Sequence, residues 1–156
     1  MPHFESSFTD FLKELDANNN REWFAENRRR YETQVKEVFK GFVDKLLPYV
    51  REIDPDISIS TKDAVFRINR DNRFNQELLP YYTYMRVFFA KGGRRSPFAG
   101  FYLKIGHDFI NIGGGALFLE KENLKKVRIE IAFNDEEFHS IISNPTFVST
   151  FGQIKG

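Results

Sequence analysis

The stretch Tyr82–Gly114, YTYMRVFFAKGGRRSPFAGFYLKIGHDFINIGG, decides the fold. It contains three short runs rich in aromatic and β-branched residues, YTYMRVFFA, GFYLKI and DFINIGG. Gly92 and Gly93 stand between the first two runs, and Gly106, His107 and Asp108 between the last two. Runs of this length bounded by turn residues read as strands. A parallel crossover needs a dozen or more residues, so connections this short predict an antiparallel meander. Immediately upstream, ISISTKDAVFRINR (57–70) supplies a fourth strand candidate, with Phe66 and Ile68 on one face and Val65, Arg67 and Asn69 on the other.

Moving outward from the sheet, both flanks carry helical periodicity. Phe8, Phe11, Leu12 and Leu15 form one apolar stripe of a helix starting near Ser6 or Ser7. Asn19, followed three residues later by Glu22, reads as a capping box that restarts the helix. Phe24, Tyr31, Val35, Val38, Phe39, Phe42 and Leu46 then keep a period near 3.6 until Pro48, which predicts a helix of about 25 residues ending there. Arg28, Arg29 and Arg30 lie off this stripe and read as a solvated face, with a ligand or partner surface as the alternative. On the far side, Leu124, Val127 and Ile131 mark one helix. Asn134 and Glu137 open another that carries Phe138, Ile141 and Ile142 and ends at Asn144-Pro145. The expected fold is therefore α+β: a predominantly antiparallel four-stranded sheet packed against N-terminal and C-terminal helices, in one domain spanning residues 1–156.

Composition narrows the chemistry. The chain has no cysteine, which excludes disulfide frameworks, cysteine nucleophiles, iron–sulfur clusters and thiolate zinc sites. Lys+Arg 23 against Asp+Glu 22 leaves a net charge of +1, so any electrostatic function has to be local. Nucleic acid is consequently an unlikely partner, despite the basic and aromatic residues interleaved from Arg67 to Arg86. The N-terminal residues lack a signal-peptide apolar run, and no stretch of 18 apolar residues occurs, so the expectation is a cytoplasmic chain without a membrane segment. Eighteen phenylalanines supply the core.

The densest candidate for chemistry is RINRDNRF. Arg67 stands on the polar side of its strand, and Arg70, Asp71 and Arg73 lie at or beyond the strand end. Guanidinium groups grip carboxylate or phosphate through forked hydrogen bonds, and an aspartate can hold one fork in place. The candidate binding residues are thus Arg67, Arg70, Asp71 and Arg73, with Tyr81 beside Pro80 as a further donor, and the expected partner is a small anionic ligand. The alternative is a noncatalytic structural or interaction module in which the same side chains form an internal salt-bridge network. No reaction is legible. His3, His107 and His139 are widely spaced, and no metal, haem or nucleotide-binding motif is recognised. Gly113, Gly114 and Gly115 precede Ala116-Leu117-Phe118 rather than a lysine-bearing turn, and read as a bulge or a close backbone crossing, with a ligand-facing loop as the alternative.

Together NNNREWFAENRRRY (18–31), RINRDNRF (67–74), PYYTY (80–84), GFYLKI, NIGGG and LKKVRIEI (124–131) give the chain a resemblance to the family catalogued as domain of unknown function 2461. The family names no reaction, substrate or cofactor. The resemblance implies a mixed α/β protein whose recurrent residues fall here at Trp23, Phe24, Asn27, Tyr31, Arg67, Arg70, Asp71, Arg73, Phe74, Pro80, Tyr81, Gly100, Tyr102, Gly115 and Arg128. It also implies a chain matching the family's N-terminal two thirds and shortened at the C-terminus, which would leave apolar surface for weak self-association. Two departures reduce local positive charge: Gln76, Glu77, Leu78 and Leu79 replace a lysine-bearing approach to Pro-Tyr, and Tyr82 stands where a lysine is usual.

Overall fold

The computed structural model describes residues 4–71, 73, 75 and 77–154. His3, Phe74 and Gln76, which entered the sequence reading, lie outside the described residues. Two compact units are formed, Met1–Phe118 and Leu119–Gly156.

In the first unit, α1 (Ser6–Ala17) buries Phe8, Phe11, Leu12 and Leu15, the stripe expected of it. The restart comes one residue later than predicted. Asn20, not Asn19, caps α2 (Arg21–Glu26), its side chain accepting the Trp23 N–H at 2.9 Å. Asn19 is diverted because its amide is engaged by the Tyr81 backbone. The expected single helix is interrupted at Asn27 and resumes as α3 (Arg28–Arg30), a π-helical turn (Tyr31–Lys36) and α4 (Glu37–Ile53). Pro48 does not end it. The proline is exposed, so the Asp44 carbonyl it leaves without a donor is on the wet side, while Leu47 stays buried and holds the last turns to the core.

The sheet has three strands among the described residues, β1 (Met85–Ala90), β2 (Gly100–Ile105) and β3 (Ile110–Gly115), antiparallel in that order. The β2–β3 connection is the tight turn read from the sequence, closed by Gly106 N–H donating to the Phe109 carbonyl at 2.9 Å. The fourth expected strand is a correction. Its first part folds into the short helix α5 (Thr61–Ala64), capped by Ser60. The rest runs beside β1 but pairs only at two isolated bridges, Val65 with Val87 and Asn69 with Tyr81. Three residues lie between these contacts on one side and five on the other, so the ladder loses register at the bend over Thr83 and Tyr84.

One face of the sheet, through Met85, Val87, Phe89, Leu103 and Ile105, joins α1 and the stripe Tyr31, Val35, Phe39, Val43 and Leu47 in the main core. The second unit consists of α6 (Lys121–Phe133), α7 (Asp135–Ile142) and α8 (Pro145–Phe151), none of which has a buried residue. Asn144-Pro145 ends α7 as expected but also starts α8. Asn144 accepts the Thr146 N–H at 2.9 Å, and a proline in the first turn sacrifices only an N–H that no helix uses. Among the described residues, no helix is long and apolar enough to cross a membrane.

Candidate functional site

Within the first unit an open concavity of about 640 Å³ is lined by α2, α3, the π turn and the start of α4 together with residues from Lys62 to Asn69, Tyr81, Met85 and Arg94. The helical side contributes Arg21, Arg28, Glu32, Lys36 and Lys40. In a continuous α-helix, residues four apart drift by about 40° per step, so Arg28, Glu32, Lys36 and Lys40 would fan across about 120°. A π turn holds about 4.4 residues and reverses that drift, which confines the four to a sector of about 40°. The irregular backbone at Tyr31–Lys36 therefore keeps one charged row aimed at the concavity.

The lining has seven cationic side chains, Arg21, Arg28, Lys36, Lys40, Lys62, Arg67 and Arg94, against one carboxylate, Glu32. Glu32 is already engaged, since its carboxylate accepts from Lys36 in an i,i+4 pair. Arg94 is fixed by donating to the Lys62 and Asp63 carbonyls at 2.7 and 3.2 Å. Such a field attracts anions even in a chain of near-zero net charge.

Beneath these charges Phe24 and Tyr81 stack, ring centroids 4.0 Å apart and planes at 15°. Asn19 holds Tyr81 from one side, donating to its carbonyl at 2.9 Å and accepting its N–H at 3.1 Å, and the bridge to Asn69 holds it from the other. Tyr31 packs against Phe24 at 5.1 Å. Burial, reinforced by the charges of Glu32 and Glu37, pushes the Tyr31 phenol far above its ordinary range. It therefore stays a neutral hydrogen-bond donor.

The residues expected from the sequence are divided by this geometry. Arg67 and Tyr81 line the basin. Arg70 does not: its guanidinium lies over the Tyr82 ring at 4.6 Å, and Arg86 lies over the same ring at 3.9 Å and over Phe66 at 4.7 Å. The Nε of both arginines is buried without a hydrogen-bond partner. Asp71 and Arg73 pair through a fork of 2.8 and 2.6 Å, and the Arg73 hydrogen bonds hold the Asp71 carboxyl down to about 2. Arg73 faces a separate depression beside Asn19, Asn20 and Arg21. The glycine triplet belongs to the β2–β3 ladder. A Cβ on Gly113 would sit 2.5 Å from the Tyr102 hydroxyl, so the strand crosses close to that ring. Among the described residues, no group of three or more His, Cys, Asp or Glu is placed to hold a metal.

Sequence reasoning passed over Arg21, Lys36, Lys40, Lys62 and Arg94 and gave Arg28 a ligand surface only as the alternative. The signal available was the charged row at 28, 32, 36 and 40, whose alignment depends on a π turn that periodicity alone does not announce.

The family model described as "Conserved hypothetical protein (DUF2461)" matches residues 7–156. The chain belongs to this family. The DUF2461 match takes in the whole basin, from Arg21 to Arg94. Of the positions that carry the DUF2461 resemblance, Phe24, Tyr31, Arg67 and Tyr81 line the basin. Asn27 accepts from Arg30 at 3.0 Å, and Trp23 packs on Phe11 at 5.5 Å. No curated protein and no solved structure matches the chain.

Proposed function

We propose that the protein binds an anionic ligand in the basin bounded by α2, the π turn and the Lys62–Asn69 segment. The supporting observation is the seven-to-one excess of cationic over acidic side chains in one concavity. Cations gathered in a hollow repel one another, and a bound anion would relieve the part of that repulsion that Glu32, Glu37 and backbone carbonyls leave. Arg67 is the residue that connects this basin to the sequence reading, and Tyr81 is its fixed floor. Asp71 and Arg73, satisfied by each other, and Arg70, stacked on Tyr82, suit the structural role instead. The assignment is to binding, and no reaction is attached to it.

Ligand that binds only the folded chain raises its melting temperature by mass action. Pyrophosphate titrated at fixed low ionic strength should raise the melting temperature saturably. The Arg28→Gln/Arg67→Gln double variant should lose the response while unfolding near the parent temperature. An unchanged response in that variant would place the anion elsewhere and refute the basin as the site.

A further inference from the structure

We infer that the ligand is a phosphorylated small molecule carrying at least two phosphate groups on an apolar or aromatic body, an inference that rests on the anion-binding reading above. The charge arrangement sets the number of phosphates. Lys36 and Lys40 are compensated on their own helix by Glu32 and Glu37. Arg94 is partly spent on backbone carbonyls. Arg21, Arg28, Lys62 and Arg67 have no ion pair among the described residues, and they come from α2, α3, α5 and the segment after α5. A single oxyanion offers one compact group of acceptors, whereas these heads are delivered by four elements around a concavity of about 640 Å³. Two or more linked phosphates supply three to four negative charges for these four cations, of which Lys62 and Arg67 also feel the nearby carboxylates of Asp63 and Asp71.

The lining beneath the cations sets the body. Val65 and Phe66, both half-buried, give the basin apolar surface backed by the buried Phe24 and Met85, a surface wasted on an inorganic polyanion. Two neutral polar groups break that surface, the Tyr31 phenol and the Asn69 amide, and Asn69 is exposed. Apolar walls with a few oriented polar groups, in a volume of about 300 to 1,000 Å³, are the pattern of a site that encloses an organic molecule. A nucleoside polyphosphate has the required combination of flat ring, donors and acceptors, and linked phosphates, and it is the probe chosen.

The test is calorimetric titration of the full chain at one low salt concentration with phosphate, pyrophosphate, AMP, ADP, ATP and a single-stranded 12-mer oligonucleotide. Affinity should rise from AMP to ADP and ATP, and ADP should bind about tenfold or more tightly than pyrophosphate. Arg28→Gln and Lys62→Gln, both at exposed positions, should each weaken ADP by about tenfold, and Arg95→Gln, outside the lining, should leave it unchanged. If pyrophosphate binds as tightly as ADP, no body is recognised and this inference falls while the anion-binding reading stands. If none of the anions binds, both fall. An oligonucleotide that outcompetes every small ligand, with a steep salt dependence, would overturn the small-molecule class in favour of a nucleic-acid strand.

Discussion

Asn19 and Tyr81 exchange two hydrogen bonds across 62 residues of chain, the Asn19 amide meeting the Tyr81 carbonyl at 2.9 Å and its N–H at 3.1 Å. The asparagine side chain imitates the edge of a neighbouring strand. It ties the α1–α2 junction to the residue whose ring forms the basin floor. Asn19→Ala leaves a half-buried donor and acceptor unsatisfied and should cost about 1 to 3 kcal/mol. Asn20→Ala removes one capping bond and should cost about 1 kcal/mol. Urea unfolding followed by Trp23 fluorescence compares the two; a smaller loss at Asn19 than at Asn20 would argue against the clamp.

Phe24 is buried and touches Phe11, Tyr31 and Tyr81. Phe24→Ala should destabilise by about 3 to 5 kcal/mol, through lost contacts and the cavity left behind. Trp23 is only partly buried, so Trp23→Ala should cost less. Unfolding free energies of the two variants check the order.

Gly100 and Gly114 neighbour each other across β2 and β3 but differ in the space beside them. A Cβ at Gly100 would lie 2.1 Å from the Phe89 carbonyl oxygen, a backbone atom that cannot swing aside. At Gly114 the nearest atom, the Gly100 carbonyl oxygen, is 3.6 Å away. Gly100→Ala should therefore cost about 1 to 3 kcal/mol or more, and Gly114→Ala should be close to neutral. Melting temperatures of the pair measure the difference.

The Asp71–Arg73 fork predicts a titration. The folded-state pKa of Asp71 is depressed to about 2 from an ordinary 3.8, so the carboxylate's contribution is complete above the ordinary value and disappears as pH falls through the folded one. The Arg73 Nε–H resonance should shift between about pH 4 and pH 2, and should stay flat over that range in Asp71→Asn. A midpoint near 4 in the parent would show that the fork does not persist in solution.

What the sequence revealed and what it hid follow from how local each signal is. The α1 stripe, the β1–β3 meander and the turn at Gly106–Asp108 depend on neighbouring residues, and the structure places them where periodicity and turn chemistry put them. Pro48, the Asn19 cap and the fourth strand turned on competition with distant groups. Tertiary packing carries α4 past its proline, Tyr81 claims Asn19, and the bend at Thr83–Tyr84 spoils the register of the 65–69 segment. Arg67 and Tyr81, two of the candidates read from the sequence, line the concavity because each reading was local: a polar strand face for Arg67 and a proline-fixed loop for Tyr81. Lys36 and Lys40 went unread, and Arg28 was read only as an alternative, because their alignment is set by helix phase.

A π turn is an α-helix holding one residue more than the hydrogen-bond pattern requires. The aim of the charged row on Arg28, Glu32, Lys36 and Lys40 is thus written in residue count between Tyr31 and Lys36, not in side-chain identity. Point substitution can blunt the row but cannot redirect it. Loss of a single residue there turns everything N-terminal to it by about 100° relative to α4. For this segment, insertions and deletions are the changes that decide whether this charged basin exists at all.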